Sequence, residues 1–201
     1  MRVAGLVLAA GGGTRLGRPK ALADIGGQRL VDRAVSTLAA GGADPVFVVV
    51  GAAPVGHVEA FVVSNNEWRT GMASSLRAGL TAMSGYAESV TDIDAVVITL
   101  VDLVDVSPGA VRAVMSAAAA GARAVKATYD GDRGHPVLLR RADWLRAAAM
   151  AHGDAGARHF LSGPELEVVE VPCDDVGTAA DVDTAADLVA ARGRLGQPDR
   201  A

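Results

Sequence analysis

The sequence of 201 residues holds one cysteine, Cys173. No disulfide can close within the chain, and no zinc site can be built from cysteines. Such scarcity fits a reducing compartment, and a cytoplasmic setting is expected. Aromatic residues make up only 3%, so the core has to be packed with aliphatic side chains. Basic residues are not in excess, the formal net charge being −4. A nucleic-acid or anionic-membrane surface, whose footprint is basic, is therefore not expected. No apolar run approaches the roughly 18 residues that span a bilayer. Met1-Arg2-Val3 leads straight into a short apolar run, without the longer apolar region and cleavage site of a signal peptide.

What the chain does have is concentrated between Gly5 and Lys20. Val3 to Leu8 is a short apolar run, the pattern of a strand buried on both faces. It passes through Ala9 and Ala10 into Gly11, Gly12 and Gly13, then through Thr14 into a segment carrying Arg15, Arg18 and Lys20. Glycines let a backbone approach a bulky anion, and their successive N–H groups can form an anion-binding concavity. Three cations directly after them supply long donors for phosphate oxygens. A tight turn explains the glycines alone; glycines followed by three cations predict a phosphate site. It is not a P-loop, because Lys20 is followed by Ala21 where that motif needs Ser or Thr. The dinucleotide fingerprint fails at Leu16, its last glycine position.

Along the chain, helical spacing predicts a helix over 28–40, closed by Gly41-Gly42. Val46–Val50 is a second buried strand, 55–60 a short helical candidate, and 61–63 a third strand. A polar loop over 64–71 precedes a helix from Met72 to Met83, followed by a loop over 84–92. Ala95–Leu100 is the fourth strand, and a helix from Pro108 follows. Strands over 125–129 and 136–139 flank a turn at 131–134. Helices follow over 141–150 and 156–161, an edge strand over 166–171, and a closing helix over 185–195. Residues 1–195 are expected to form a single domain and 196–201 a frayed tail.

Alternating strands and helices predict an α/β fold: a three-layer, doubly wound, mostly parallel sheet with helices on both faces. Ligands in such sheets sit outside the carboxyl ends of the strands. The glycine loop and Asp102, which follows the fourth strand, should share one crevice. A carboxylate opposite a phosphate loop is a candidate for magnesium, which takes one or two carboxylates plus phosphate oxygens. Asp105 can support Asp102 or cap the helix at Pro108, and capping is the expected role.

Leu8-Ala9-Ala10-Gly11-x-Gly13-x-Arg15-x-Gly17 followed by Lys20 resembles the signature of the nucleotidyltransferases. The resemblance implies a loop that wraps a nucleoside triphosphate and a lysine that contacts a phosphate. Asn65-x-x-Trp68-x-x-Gly71-Met72-x-Ser74-Ser75-Leu76 is similar to the cytidylyltransferase-like branch, nearest to molybdenum cofactor cytidylyltransferases; it implies that Asn65, Gly71, Met72, Ser74 and Ser75 lie near the base. On its own, Trp68 reads as a packing residue and the serines as first-turn helix residues. Arg133-Gly134-His135-Pro136 resembles a segment on the acceptor side of the cleft in the same branch, where His135 contacts substrate or shapes the pocket. Gly153-Asp154-Ala155-Gly156-Ala157-Arg158 also resembles that branch: either Arg158 binds an anionic acceptor, or the segment is a turn starting a helix. Asp181-Val182-Asp183-Thr184 resembles the family's ending, which implies that Asp183, or Asp181, completes the magnesium site with Asp102. On a strand, Asp181 and Asp183 would point the same way; Thr184 or Asp183 as a helix cap is the competing account.

The resemblance runs from Leu6 to Leu188. It implies a magnesium-dependent transfer of a nucleoside monophosphate, CTP favoured, to a phosphorylated acceptor such as molybdopterin, with Arg15, Lys20 and Asp102 as the catalytic set. A molybdoenzyme or chaperone that receives the product is an implied partner. A guanylyl- or sugar-phosphate-transferring relative would keep the same core chemistry. Relatives carry Gly-Asp-Met-Pro where this chain has Val101-Asp102-Leu103-Val104, which keeps open a non-catalytic nucleotide-binding protein.

Overall fold

A computed structural model describes residues 1–195; the tail expected over 196–201 lies outside the described residues. Seven strands form one sheet in the order β5-β4-β1-β6-β8-β7-β9. They are β1 (Val3–Leu8), β4 (Val46–Val50), β5 (Phe61–Ser64), β6 (Ala95–Leu100), β7 (Ala124–Tyr129), β8 (Asp132–Arg140) and β9 (Val168–Pro172). Two short strands, β2 (Asp24–Ile25) and β3 (Gln28–Arg29), pair with each other outside it. β8 runs antiparallel to both its neighbours while the remaining pairings are parallel. The expected mostly parallel α/β sheet is therefore the fold.

Alternation along the strands sorts side chains to two cores. Val3 and Val7 of β1 face one side with Val48 and Val97, where α1 (Leu30–Ala40), α3 (Pro108–Ala119) and α6 (Ala185–Leu195) supply Val31, Leu38, Val111 and Leu188. Ala4, Leu6 and Leu8 face the other with Phe47, Val49 and Ile98. There α2 (Met72–Ser89), α4 (Trp144–Met150) and α5 (Arg158–Leu161) supply Leu76, Leu80, Trp144 and Phe160. Each fully buried aliphatic side chain contributes roughly 1.5–3 kcal/mol against leaving it in water. No helix among the described residues is long and apolar enough to cross a membrane.

Four local expectations are corrected. Residues 84–92 are not a loop at their start: α2 continues to Ser89, because Met83 and Ala87 extend its buried stripe and Tyr86 packs edge-on to Phe47. The helical candidate at 55–60 is irregular chain, held instead by the Arg29 guanidinium, which donates to the carbonyls of Val55 and His57. The turn expected over 131–134 is the two residues Asp130-Gly131, both at positive φ, the preference of a tight hairpin. No strand forms at Asp181–Asp183.

β4 and β5 lie on one side of β1 and β6 on the other, so the carboxyl ends of β1 and β6 border the point where the strand order reverses. Ligand crevices of open α/β sheets form at such a point.

Candidate functional site

β1 ends in a loop that folds back on itself. Gly13 sits at φ +62°, and a Cβ there would fall 1.9 Å from the Arg18 carbonyl oxygen. Pro19 then leads into a single 3-10 turn, Lys20–Leu22, anchored by buried Ala21. This turn aims Lys20 back across the sheet. Its ammonium donates to Asp102 Oδ2 at 2.6 Å and to Asp183 Oδ1. Arg15, exposed on the loop, reaches Asp183 Oδ2 at 2.5 Å. Lys20, Asp102 and Asp183 keep only 17%, 17% and 18% of their side-chain surface.

Two backbone contacts deliver the carboxylates. Val101 donates to the Leu8 carbonyl at 3.2 Å, carrying the β1–β6 pairing past the strand ends. Val101 and Val104 are buried in the core beneath, which leaves Asp102 on the crevice side. Val182 donates to the Asp102 carbonyl at 3.0 Å. Thr184 caps α6, accepting from Asp187 N–H while Asp187 Oδ2 accepts from the N–H groups of Asp183 and Thr184. Thr184, not Asp183, is thus the helix cap, and Asp183 is free to face Lys20. Asp181 is exposed at the rim. Asp105 does not cap α3: Ser107 accepts from Ala110 N–H at 3.2 Å, and Asp105 instead binds Thr178 and Arg194.

The electrostatics follow from this packing. Burial opposes the charge on Lys20, but hydrogen bonds and attraction from Asp102 and Asp183 outweigh it and raise its pKa. The Lys20 hydrogen bond, with the charges of Lys20 and Arg15, holds Asp183 below the usual carboxylate value. Desolvation, then repulsion by Asp183 and Asp102, pushes Asp181 up.

A cavity of about 300 Å³ opens beside this cluster, lined by Leu8, Ala10, Gly11, Gly13, Lys20 and Asp102 together with Trp68, Arg69, Gly71, Met72 and Ser75. Of the other residues expected near a nucleotide, Ala9 packs into the opposite core, Gly12 backs onto the Trp68 ring and Thr14 is exposed. Asn65 and Ser74 are buried and spent on each other: Asn65 Nδ2 donates to Ser74 Oγ and Ser75 Oγ at 2.8 and 3.0 Å. They shape the loop rather than line the cavity. Gly71, at φ +111°, meets Gly153 so closely that a Cβ would lie 2.5 Å from its carbonyl oxygen.

A second cavity of about 460 Å³ adjoins the first, sharing Leu8, Met72, Leu100 and Asp154. His135 and Arg158 both line it, joined by Lys126 and Arg133. His135 Nδ1 lies 3.2 Å from the Ile98 carbonyl and donates to it, leaving Nε2 as an acceptor. Burial holds this imidazole below its ordinary pKa, hence neutral. Burial, then the charges of Arg133 and Arg158, also lowers Lys126. Sequence reasoning missed Arg69, Lys126 and Asp154. A signal existed for one of them: the chain has two lysines, Lys20 and Lys126, against many arginines, and each lines one cavity. Asp154 accepts from Met72 N–H at 3.2 Å, closing the N-terminus of α2 from 82 residues away.

Among the described residues no group of three or more His, Cys, Asp or Glu side chains stands at metal-binding spacing. The donor set is the pair Asp102 and Asp183, whose oxygens already converge on one cation, the Lys20 ammonium. A small oxygen-seeking divalent ion fits such a pair when substrate phosphates complete its shell.

Residues 5–171 match the family described as the MobA-like NTP transferase domain. The nicotine blue oxidoreductase of Paenarthrobacter nicotinovorans is 34% identical over 194 residues, covering 90% of this chain and 92% of its own. The crystal structure of a homologue of Mycobacterium tuberculosis Rv0371c, from Mycobacterium sp. strain JC1, is 27% identical, with a TM-score of 0.79 over 97% of this chain and 100% of that one. Rv0371c of Mycobacterium tuberculosis H37Rv, solved as a complex with manganese, is 23% identical with a TM-score of 0.72 over 96% and 99%.

Proposed function

The chain belongs to the MobA-like NTP transferase domain family, and on that premise we propose that it transfers a nucleoside monophosphate from CTP to a phosphorylated acceptor, releasing pyrophosphate. The observation that carries this reading is the Lys20–Asp102–Asp183 cluster beside a glycine-lined cavity that adjoins a second, basic one. In this reading the Gly11–Gly13 backbone, Arg15 and Lys20 hold the triphosphate. The nucleoside extends toward Trp68, Gly71, Met72 and Ser75. Lys126, Arg133 and Arg158 take the acceptor's phosphate, and His135 Nε2 accepts from an acceptor hydroxyl. An acceptor phosphate oxygen forms a bond to the α-phosphorus as the bridge to the β-phosphate breaks, and pyrophosphate leaves with that electron pair. No side chain needs to form a covalent bond; alignment and charge neutralisation carry the rate. Asp102 and Asp183 would hold a divalent ion, magnesium in our proposal, which would neutralise phosphate charge and polarise the reacting phosphorus. The manganese in Rv0371c supports the class of ion. The single cysteine, buried and free, suits a reducing cytoplasm. A molybdopterin is the acceptor to try first, with a molybdoenzyme or its chaperone as recipient.

The test is pyrophosphate release with each nucleoside triphosphate, with and without Mg²⁺, in the presence of molybdopterin. CTP- and metal-dependent release is expected. A GTP preference would assign the guanylyl reaction instead, and nucleotide binding without release would assign a non-catalytic binder.

A second reading is favoured by one observation, the 34% identity to an oxidoreductase. The adjoining cavities would then hold a hydride donor and an oxidised dye, with a hydride passing from the first to the second and a proton taken from solvent. Oxidation of NADH or NADPH by an added dye, without pyrophosphate release, would establish it in place of the first.

A further inference from the structure

Lys20 stands where a divalent ion would have to stand. Its ammonium touches one oxygen of Asp102 and one of Asp183, and it is the cation on which both carboxylates converge. Two carboxylates held this close repel unless a cation lies between them. The ammonium and a divalent ion therefore compete for the same oxygens. Lys20 also lines the cavity with Gly11 and Gly13, so a change of side-chain rotamer takes its charge from the carboxylates to the glycine loop. Arg15 is differently placed: its side chain is 71% exposed, and it meets the other oxygen of Asp183, not Asp102.

We propose that Lys20 is an exchangeable resident cation of the Asp102–Asp183 pair: a divalent ion displaces it, and the released ammonium becomes the phosphate ligand of the incoming nucleotide. Resting on the nucleotidyltransferase reading, this assigns Lys20 two successive positions in place of one. Metal entry frees a phosphate-binding group, and phosphate capture keeps that group from returning to compete with the metal. The two ligands thus bind with positive coupling, equal in both directions by linkage. An ordering follows, since triphosphate arriving without metal finds its lysine engaged elsewhere.

The sequence offers a direct probe, because Lys20 and Lys126 are its only lysines. Acylation by a small N-hydroxysuccinimide ester, read by peptide mass spectrometry on the wild-type chain, reports each amine separately. Mn²⁺ added to chelator-treated protein should accelerate Lys20 acylation about fivefold or more, the low end of typical coupling factors. A non-hydrolysable CTP analogue added with Mn²⁺ should slow it again, while Mn²⁺ alone leaves Lys126 unchanged. No acceleration of Lys20 overturns the exchange. Mn²⁺ affinity without nucleotide supplies the second measurement: Lys20→Gln should bind about tenfold more tightly than wild type, and Arg15→Gln much less so. Equal tightening in both variants would mean general electrostatics and overturn the exchange, with the metal site intact. Absence of Mn²⁺ binding in all three proteins, with or without nucleotide, would overturn the metal site and the functional reading along with it.

Discussion

Val182 N–H donates to the carbonyl oxygen of Asp102 at 3.0 Å, joining positions eighty residues apart in the chain. This bond, rather than a strand, sets the distance between the two carboxylates of the site. Asp102 is fixed by the continuation of β1–β6 pairing through Val101, and Val182 is fully buried beneath the cluster. The next residue, Asp183, is thereby delivered to Lys20, while Asp181 on the other side of Val182 is left at the exposed rim.

The glycine loop separates folding from binding. Gly13→Ala places a Cβ against the Arg18 carbonyl at a positive φ, and such strain costs on the order of 1–3 kcal/mol. Its melting temperature should fall. At Gly11, by contrast, a Cβ would meet no atom within 4 Å, and the residue lines the cavity. Gly11→Ala should keep the wild-type melting temperature and lose most of the stabilisation that CTP confers in a thermal-shift titration. If both variants melt alike, the loop geometry does not divide this way.

The layers and most elements were legible because burial imposes a period. β1, β4 and β6 read as apolar runs, and α1 and α2 show their stripes. The loop and Asp102 were placed in one crevice by the rule for open α/β sheets, and the structure brings them together. What could not be read was whatever depends on a distant partner. The family resemblance sets Asn65 and Ser74 near a base, but the two satisfy one another beneath a loop, a pairing that only the fold of that loop reveals. Asp154 looks like a turn residue, yet it closes the N-terminus of α2 from 82 residues away and lines both cavities where they adjoin. The end of α2 was misplaced because Ser84 and Gly85 resemble a loop, whereas Met83, Ala87 and the Phe47–Tyr86 contact keep the helix going.

The second cavity makes a kinetic prediction. Lys126 shares it with Arg133 and Arg158, and its lowered pKa reflects burial before their repulsion. A bound anion would relieve both the burial cost and the repulsion. A charge-assisted hydrogen bond contributes roughly 1.5–3 kcal/mol, so Lys126→Ala should raise the acceptor's KM about tenfold or more. The KM for CTP should stay at its wild-type value. Steady-state kinetics with each substrate varied in turn checks this, and an equal rise in both KM values would place Lys126 outside the acceptor site.

The Lys20–Asp183 pair predicts a stability profile with two edges. Asp183 has a depressed pKa, so its contribution is complete above the unfolded value near 3.9 and is lost as pH falls through the folded value. Lys20 has a raised pKa, so its contribution is complete below about pH 10.4 and is lost as pH rises through the folded value. Wild type should therefore exceed Lys20→Met in stability by a constant margin between about pH 5 and 9, narrowing outside both limits. Urea denaturation across pH tests it; a margin that peaks or vanishes near pH 7 would implicate another group.

The carboxylates themselves separate an enzyme from a binder. Asp102 follows β6 by way of Val101, lines the first cavity and stands on a turn whose valines, Val101 and Val104, are buried. Asp183 does not line that cavity, and it shares its charge with exposed Arg15. Replacing the more central group should cost more. Asp102→Asn should lower turnover about a hundredfold, near 2.7 kcal/mol of barrier, and Asp183→Asn about tenfold. Removing a negative charge beside the triphosphate should leave CTP binding in chelator unchanged or tighter in both variants, because the phosphate donors remain. Pyrophosphate release and calorimetric titration in parallel measure the two effects. Wild-type turnover in Asp102→Asn would remove this carboxylate from the reaction. Loss of metal-independent binding would show that Asp102 holds the loop together rather than an ion.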